Sequence, residues 1–145
     1  MRFWDSSAIV PLIVEEPATK DATLWIAEDS EMTVWTLTPI EIVSALERRV
    51  REGTLKELEA IAAEDLGLEL LKSAHEIAAL EPAKGLARRI LRTHPLRAAD
   101  SLQLAAAILW AEGAPEGAVV HTFDHRLGRA ALREGFTVIP RPPDI

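Results

Sequence analysis

Four acidic residues are spaced so that a folded chain can gather them: Asp5 in "FWDSS", Glu41 in "TPIEIVSAL", Asp100 in "LRAADSLQLAAAIL" and Asp124 in "HTFDHRL". Carboxylates brought together with no lysine among them repel one another, so such a group calls for a cation. Mg²⁺ or Mn²⁺ suits it, because these hard ions take a few carboxylates and keep several waters. The waters carry the chemistry: an ion of this kind makes water a nucleophile near neutral pH and stabilises charge developing on a phosphoryl group. Each acid also has an ordinary explanation. Asp5 and Asp124 stand just before helical stretches, where aspartate is a favoured N-cap. Thr38 and Glu41 fit a capping box, with Thr38 as N-cap and Glu41 at the third helical position. Asp100 falls in the first turns of a helix, a place the helix dipole favours for an acid. Its helix is so apolar that most of it must be buried, however, and a carboxylate on the inward rim needs a partner.

The elements that position these acids follow from pattern. "MRFW" suits a buried strand, and "SSAIVPLIVEE" a turn into a short helix that tolerates Pro11 only near its first turn. A helix over "ATKDATLWIAED" precedes a strand at "EMTVWT". "TPIEIVSALERRVREG" is a helix that Gly53 stops, and "TLKELEAIAAEDLGLELLKS" is another, mildly interrupted at Gly67. "HEIAAL" is ambiguous by periodicity, and its place between two helices favours a short strand. Helices over "EPAKGLARRILRTHP" and "LRAADSLQLAAAILWAEG" lead to a strand at "AVVHTF", a helix at "DHRLGRAALREG" closed by Gly135, and a last strand at "FTVIP". Alternating strands and helices give an α/β domain with a mostly parallel sheet, in which ligands sit beyond the carboxyl ends of the strands. Asp5 and Asp124 end their strands there.

Length and composition narrow the rest. The 145 residues, 48% of them hydrophobic, suit one soluble globular domain spanning 1–145. No apolar run is long enough to cross a membrane and the opening residues lack signal-peptide order, so the expected location is cytoplasmic. With no cysteine, a metal would have oxygen or imidazole ligands. The net charge of −7 argues against a protein that simply coats nucleic acid, but not against an enzyme whose acidic cleft acts on phosphodiesters behind a local basic rim. Arginines cluster at 48, 49 and 51, at 88, 89 and 92, and at 126, 129 and 133; the ordinary reading of each cluster alone is a solvated helix face.

The runs "DSSAIV", "PIEIVSALERR", "LRAADSLQLAAA" and "TFDHRL", in this order, resemble the PIN-domain ribonucleases, particularly the VapC-like toxins of toxin–antitoxin pairs. The resemblance implies a PIN-like three-layer α/β fold, with a mostly parallel sheet of four to five strands flanked by helices and "HEIAAL" as a strand. It also implies a metal-dependent endoribonuclease whose acids Asp5, Glu41, Asp100 and Asp124 bind one or two Mg²⁺ or Mn²⁺ ions and direct hydrolysis of RNA. An antitoxin partner and a homodimer follow from the same resemblance. Trp25 and the aliphatics of the first two helices agree with an exposed apolar patch for association. Ser6 or Ser7 can support Asp5, and Thr122 can do the same for Asp124. Arg97, three residues before Asp100 and on nearly the same helix face, can hold a substrate phosphate. His121 and His125 are assigned structural roles, since an oxygen-ligand site needs neither. Rival α/β readings fit less well. A phosphoacceptor domain wants paired acids after the first strand and a lysine after a late one; a haloacid-dehalogenase-like phosphatase wants an aspartate where Ser7 stands. A non-catalytic binding domain on the same fold stays open at this stage.

Overall fold

The computed structural model describes residues 1–143. In chain order its elements are β1 (Arg2–Trp4), α1 (Ser6–Ile13), α2 (Thr19–Glu28), β2 (Met32–Trp35), α3 (Thr38–Arg51), α4 (Glu57–Leu71), β3 (His75–Ile77), α5 (Leu80–Thr93), α6 (Ala98–Trp110), β4 (Val119–His121), α7 (His125–Arg133) and β5 (Thr137–Ile139). The five strands pair in the order β3-β2-β1-β4-β5, and every pairing is parallel. The expected mostly parallel sheet is thus wholly parallel. A parallel sheet must be covered on both faces, and the alternating side chains of its strands show how. Phe3, Val120 and Trp35 of the strands share a core with Ile90, Leu104 and Leu127, which α5, α6 and α7 supply. Trp4 and Val34 belong to a second core with Ile9, Trp25, Ile42 and Ala63, drawn from α1 to α4. These are the three layers.

The chain builds outward from β1 to β2 and β3, then crosses back to place β4 on the other flank of β1. The strand order reverses between β1 and β4. In such sheets a crevice opens at that point, at the carboxyl ends of the strands. Asp5 follows β1 directly, with its backbone N–H bonded to the His121 carbonyl of β4 at 3.0 Å.

Several local expectations are corrected. Pro11 lies sixth of eight residues in α1 instead of in its first turn. A proline there removes one helical hydrogen bond, and burial of Ala8, Ile9, Val10, Pro11 and Ile13 outweighs that loss. The N-cap of α3 is Leu37, not Thr38, and there is no side-chain cap; Thr38 is buried and occupied elsewhere. Gly67 does not interrupt α4. It lets that helix close on α1, since a β-carbon there would lie 3.3 Å from Ile13 Cδ1. Trp25 is also buried. It stacks on His121 with ring centroids 4.6 Å apart and planes within 7°. Of the first two helices Leu24 is exposed, and the largest group of exposed apolar side chains lies on α4, at Leu58, Ile61, Leu66 and Leu68. No helix among the described residues is long and apolar enough to cross a membrane.

Candidate active site

All four acids lie at the carboxyl edge of the sheet. Asp5, Glu41, Asp100 and Asp124 line one cleft of about 300 Å³, together with Ser7, Ser44, Arg48 and Arg97. The elements bring them there in different ways. Asp5 caps α1 by accepting the Ser7 backbone N–H at 3.3 Å, and Asp124 caps α7 by accepting that of Leu127 at 3.0 Å. For these two the cap and the cleft are the same position, because a helix that follows a strand starts at the sheet's carboxyl edge. Glu41 is different: its partner is no cap. Gln103, fully buried on α6, donates from Nε2 both to the Glu41 carboxylate and to Thr38 Oγ1 at 3.2 Å.

Asp5 is held most tightly. It is 3% exposed, and its Oδ2 accepts from Ser7 Oγ at 2.6 Å and from Thr122 Oγ1 at 2.8 Å. Ser7 Oγ in turn accepts the Phe123 N–H at 2.9 Å, and Thr122 Oγ1 accepts the Asp124 N–H at 3.0 Å. Two hydroxyls therefore tie the end of β1 to the segment after β4. The hydroxyl of Thr122 serves Asp5, not the Asp124 carboxylate; a residue just past a strand end reaches across to the neighbouring strand more readily than along its own chain. Ser6 contributes little, its Oγ standing 3.4 Å from Asp5 Oδ1. Oδ2 carries nearly all the hydrogen bonds, so Oδ1 is the oxygen left for a ligand.

The acids feel one another. Burial raises the Asp5 pKa, the Ser7 and Thr122 hydrogen bonds oppose that, and the Asp124 charge raises it again. Burial, followed by the charge of Asp5, lifts Glu41 to about 7. Asp100 rises to about 6, first through burial and then through Asp124 and Asp5, with Arg97 and Arg126 pulling the other way. Burial is the larger cause in all three, and the neighbouring carboxylates add to it. Among the described residues no three acids or histidines already surround a single ion position. The donor set nonetheless fits Mg²⁺ or Mn²⁺: it is all oxygen, rich in negative charge, and offers separate carboxylates of the kind that share a hydrated ion.

Arg97 lines the cleft with Asp100. His121 is structural: its ring is buried, Nδ1 lies 3.0 Å from the Ile139 carbonyl and Nε2 lies 3.3 Å from Arg2 Nη1. Nδ1 therefore carries the proton, and burial holds the ring neutral with a pKa pushed down to about 4. His125, exposed at the start of α7, lines the outer recess beside Asp124. Sequence reasoning missed Ser44, Gln103 and the placement of Arg48. Glu41, Ser44 and Arg48 recur at helical spacing on one face of α3, and Gln103 is a lone polar residue inside "LQLAAAIL" three positions after Asp100. Both signals were present.

Comparison with known proteins agrees with the fold. Residues 2–132 match the family described as PIN domain. Ribonuclease VapC45 of Mycobacterium tuberculosis is 31% identical over 143 residues, covering 98% of this chain and 96% of that protein. Among solved structures, FitAcB from Neisseria gonorrhoeae superposes with a TM-score of 0.64 at 16% identity, over 95% of this chain and 96% of that one. A toxin-antitoxin complex from Klebsiella pneumoniae superposes with a TM-score of 0.63 at 12% identity, over 87% and 88% respectively.

Proposed function

The chain belongs to the PIN-domain family, and on that premise we propose that it is an endoribonuclease, the toxin of a toxin–antitoxin pair, hydrolysing RNA phosphodiesters with Mg²⁺ or Mn²⁺. The observation that carries this reading is the convergence of Asp5, Glu41, Asp100 and Asp124 on one cleft at the switch point of the sheet, each of the first three with a raised pKa. Asp5, Asp100, Glu41 and Asp124 would hold the ion. When bound, it supplies a nucleophilic water at neutral pH and neutralises charge on the phosphoryl group.

The chain's own residues do the rest. Ser7 and Thr122 fix Asp5 so that Oδ1 faces the cleft, and Gln103 fixes Glu41 from behind. Arg97 and Arg48 stand on the cleft wall as guanidinium groups able to grip phosphate oxygens in a planar fork. Without such cations the cleft would repel an RNA backbone. The antitoxin and a second copy of the chain are the proposed protein partners, and the exposed apolar side chains of α4 support a covered surface. The cytoplasm, where RNA is met, is the proposed setting.

The test incubates purified protein with structured and unstructured RNAs in Mg²⁺, in Mn²⁺ and in chelator, and maps the cut ends. Internal cuts that require metal and vanish in Asp5→Asn are expected. Cleavage that survives in chelator, or in folded Asp5→Asn at the wild-type rate, refutes the reading.

A further inference from the structure

A second cavity shares Ser7 and Asp124 with the acidic cleft and is otherwise built of different residues. It holds about 420 Å³, within the range of small-molecule sites. Val10, Ala18 and Phe123 give it an apolar lining, and Glu16 and Arg49 give it an ion pair. The metal chemistry proposed above uses none of these five residues.

The ion pair is only partly engaged. Arg49 Nη2 donates to Glu16 Oε2 at 2.9 Å, and among the described residues no other hydrogen bond or ion pair reaches either side chain. The two side chains are 29% and 22% exposed, so neither swings freely in solvent. A guanidinium carries five N–H donors and a carboxylate about four acceptor sites. One bond therefore leaves Glu16 Oε1 and most of the Arg49 fork open, and the pair presents donors and acceptors side by side. Phe123 adds a flat apolar surface. Its ring packs on Trp25 with centroids 5.3 Å apart and planes within 28°, and Trp25 stacks in turn on the buried His121. Backed in this way, the half-buried Phe123 ring keeps its place. A supported aromatic ring beside an open donor–acceptor pair is the combination that reads an unstacked nucleobase, by its face and by its edge.

Resting on the ribonuclease reading, we propose that this cavity binds a guanine base of the RNA beside the scissile phosphodiester, with Glu16 and Arg49 reading its edge and Phe123 lying against its face. Guanine is singled out by the order of its edge groups. It places two N–H donors, N1 and the N2 amine, beside the O6 acceptor, so the carboxylate takes the donors and the guanidinium takes O6. Adenine and cytosine each offer one exocyclic amine next to a bare ring nitrogen, and uracil has a single N–H between two carbonyls. Each of these leaves part of the carboxylate facing no donor, which costs affinity where water is kept out. The shared Ser7 and Asp124 make the cavity contiguous with the cleft, so a base held there belongs to a nucleotide at the cut. A basic side chain of a partner protein is the rival occupant, because it too pairs with a carboxylate. Glu16 already has its cation in Arg49, however, and a pair that cancels its own charge suits a neutral ligand with a polar edge.

The experiment titrates the ¹⁵N-labelled full chain with guanosine, inosine, adenosine, cytidine and uridine monophosphates in Mg²⁺, followed by two-dimensional NMR. Guanylate should shift the amide signals of Glu16, Arg49 and Phe123 and bind about tenfold or more tightly than each of the others. Inosinate differs from guanylate only by the missing N2 amine, so the comparison tests the Glu16 contact on the unmodified chain. Glu16→Gln should bring guanylate down to the level of adenylate. Phe123→Leu should weaken all five by about fivefold or more. Equal binding of guanylate and inosinate, shifts confined to other residues, or no nucleotide binding overturns the proposal, the last leaving the cavity to a protein side chain. Cut-site mapping on mixed-sequence RNA in Mn²⁺, run in parallel, separates the two readings. Metal-dependent cuts with no preference for guanine keep the ribonuclease and sink the base pocket, whereas guanylate binding without cuts does the reverse.

Discussion

Replacing Glu41 by glutamine should make the metal-free protein more stable at alkaline pH. The carboxylate is half-buried, and burial together with the charges of Asp5 and Asp100 lifts its pKa from the ordinary 4.5 to about 7. A raised acid favours the protonated fold, so the penalty is absent below the unfolded value, grows as pH rises from 4.5, and is complete above 7. Holding the proton over that interval corresponds to about 3 kcal/mol. Water reaches part of the group, and screening reduces this to about 1–2 kcal/mol. Glutamine keeps the acceptor that Gln103 needs and removes the charge. In chelator at pH 8, Glu41→Gln should therefore melt higher than wild type by about 3–6 °C for a chain of this size. At pH 4 the two should coincide. The assay is a thermal melt across pH in chelator, repeated with saturating Mn²⁺, where wild type should regain the difference. Should the variant melt at or below wild type at pH 8 with the same pH dependence, the carboxylates do not repel one another as described and Glu41 is a structural acceptor only.

Three further outcomes follow from the same geometry. Asp100→Asn should lower RNA cleavage by at least about two orders of magnitude, as removal of a charge that holds the catalytic ion does, and it should shrink the rise in melting temperature that Mn²⁺ gives; undiminished metal stabilisation would remove Asp100 from the ion site. Ser7→Ala leaves the Phe123 N–H without its acceptor and removes one of the donors to Asp5 Oδ2, so urea unfolding should show a loss of about 1–2 kcal/mol; a neutral result would mean the hydroxyl bridge contributes nothing. Cleavage at limiting metal should rise from pH 5 to pH 8 as Asp100 and Glu41, raised to about 6 and about 7 in the metal-free cleft, lose their protons and become able to bind the ion; a flat profile would contradict their role as ligands.

The sequence made some of this plain and hid the rest for identifiable reasons. Asp5 and Asp124 were legible because a strand's end fixes where the next residue lies in a parallel sheet, whatever the side chain then touches. Glu41 was ambiguous: its spacing from Thr38 satisfies a capping box, and only the fold shows Gln103, 62 positions away, taking its carboxylate. Thr122 was assigned to the wrong aspartate because the pairing of β1 with β4 is invisible in one chain's local pattern. Trp25 looked like surplus apolar surface until His121, read as a bystander, supplied the flat buried ring it stacks upon. Arg48 lay on Glu41's helix face all along, but a single basic cluster has too many solvated counterparts to stand out.

The two hydrogen bonds donated by the buried Gln103 Nε2 have a meaning apart from pairing polar groups. Gln103 hangs from α6, which packs on one side of the sheet, and grips α3, which packs on the other. The two outer layers otherwise meet the sheet through apolar side chains, which tolerate sliding by fractions of an ångström. The amide does not tolerate it, because two directional bonds fail together if either helix turns. Gln103 thus acts as a dowel between layers, indexing the helix that carries Asp100 against the helix that carries Glu41. An aliphatic residue in its place can fill the same space, so at this point in the molecule stability and alignment are separable properties: a chain that folds just as firmly can still present its acids out of register.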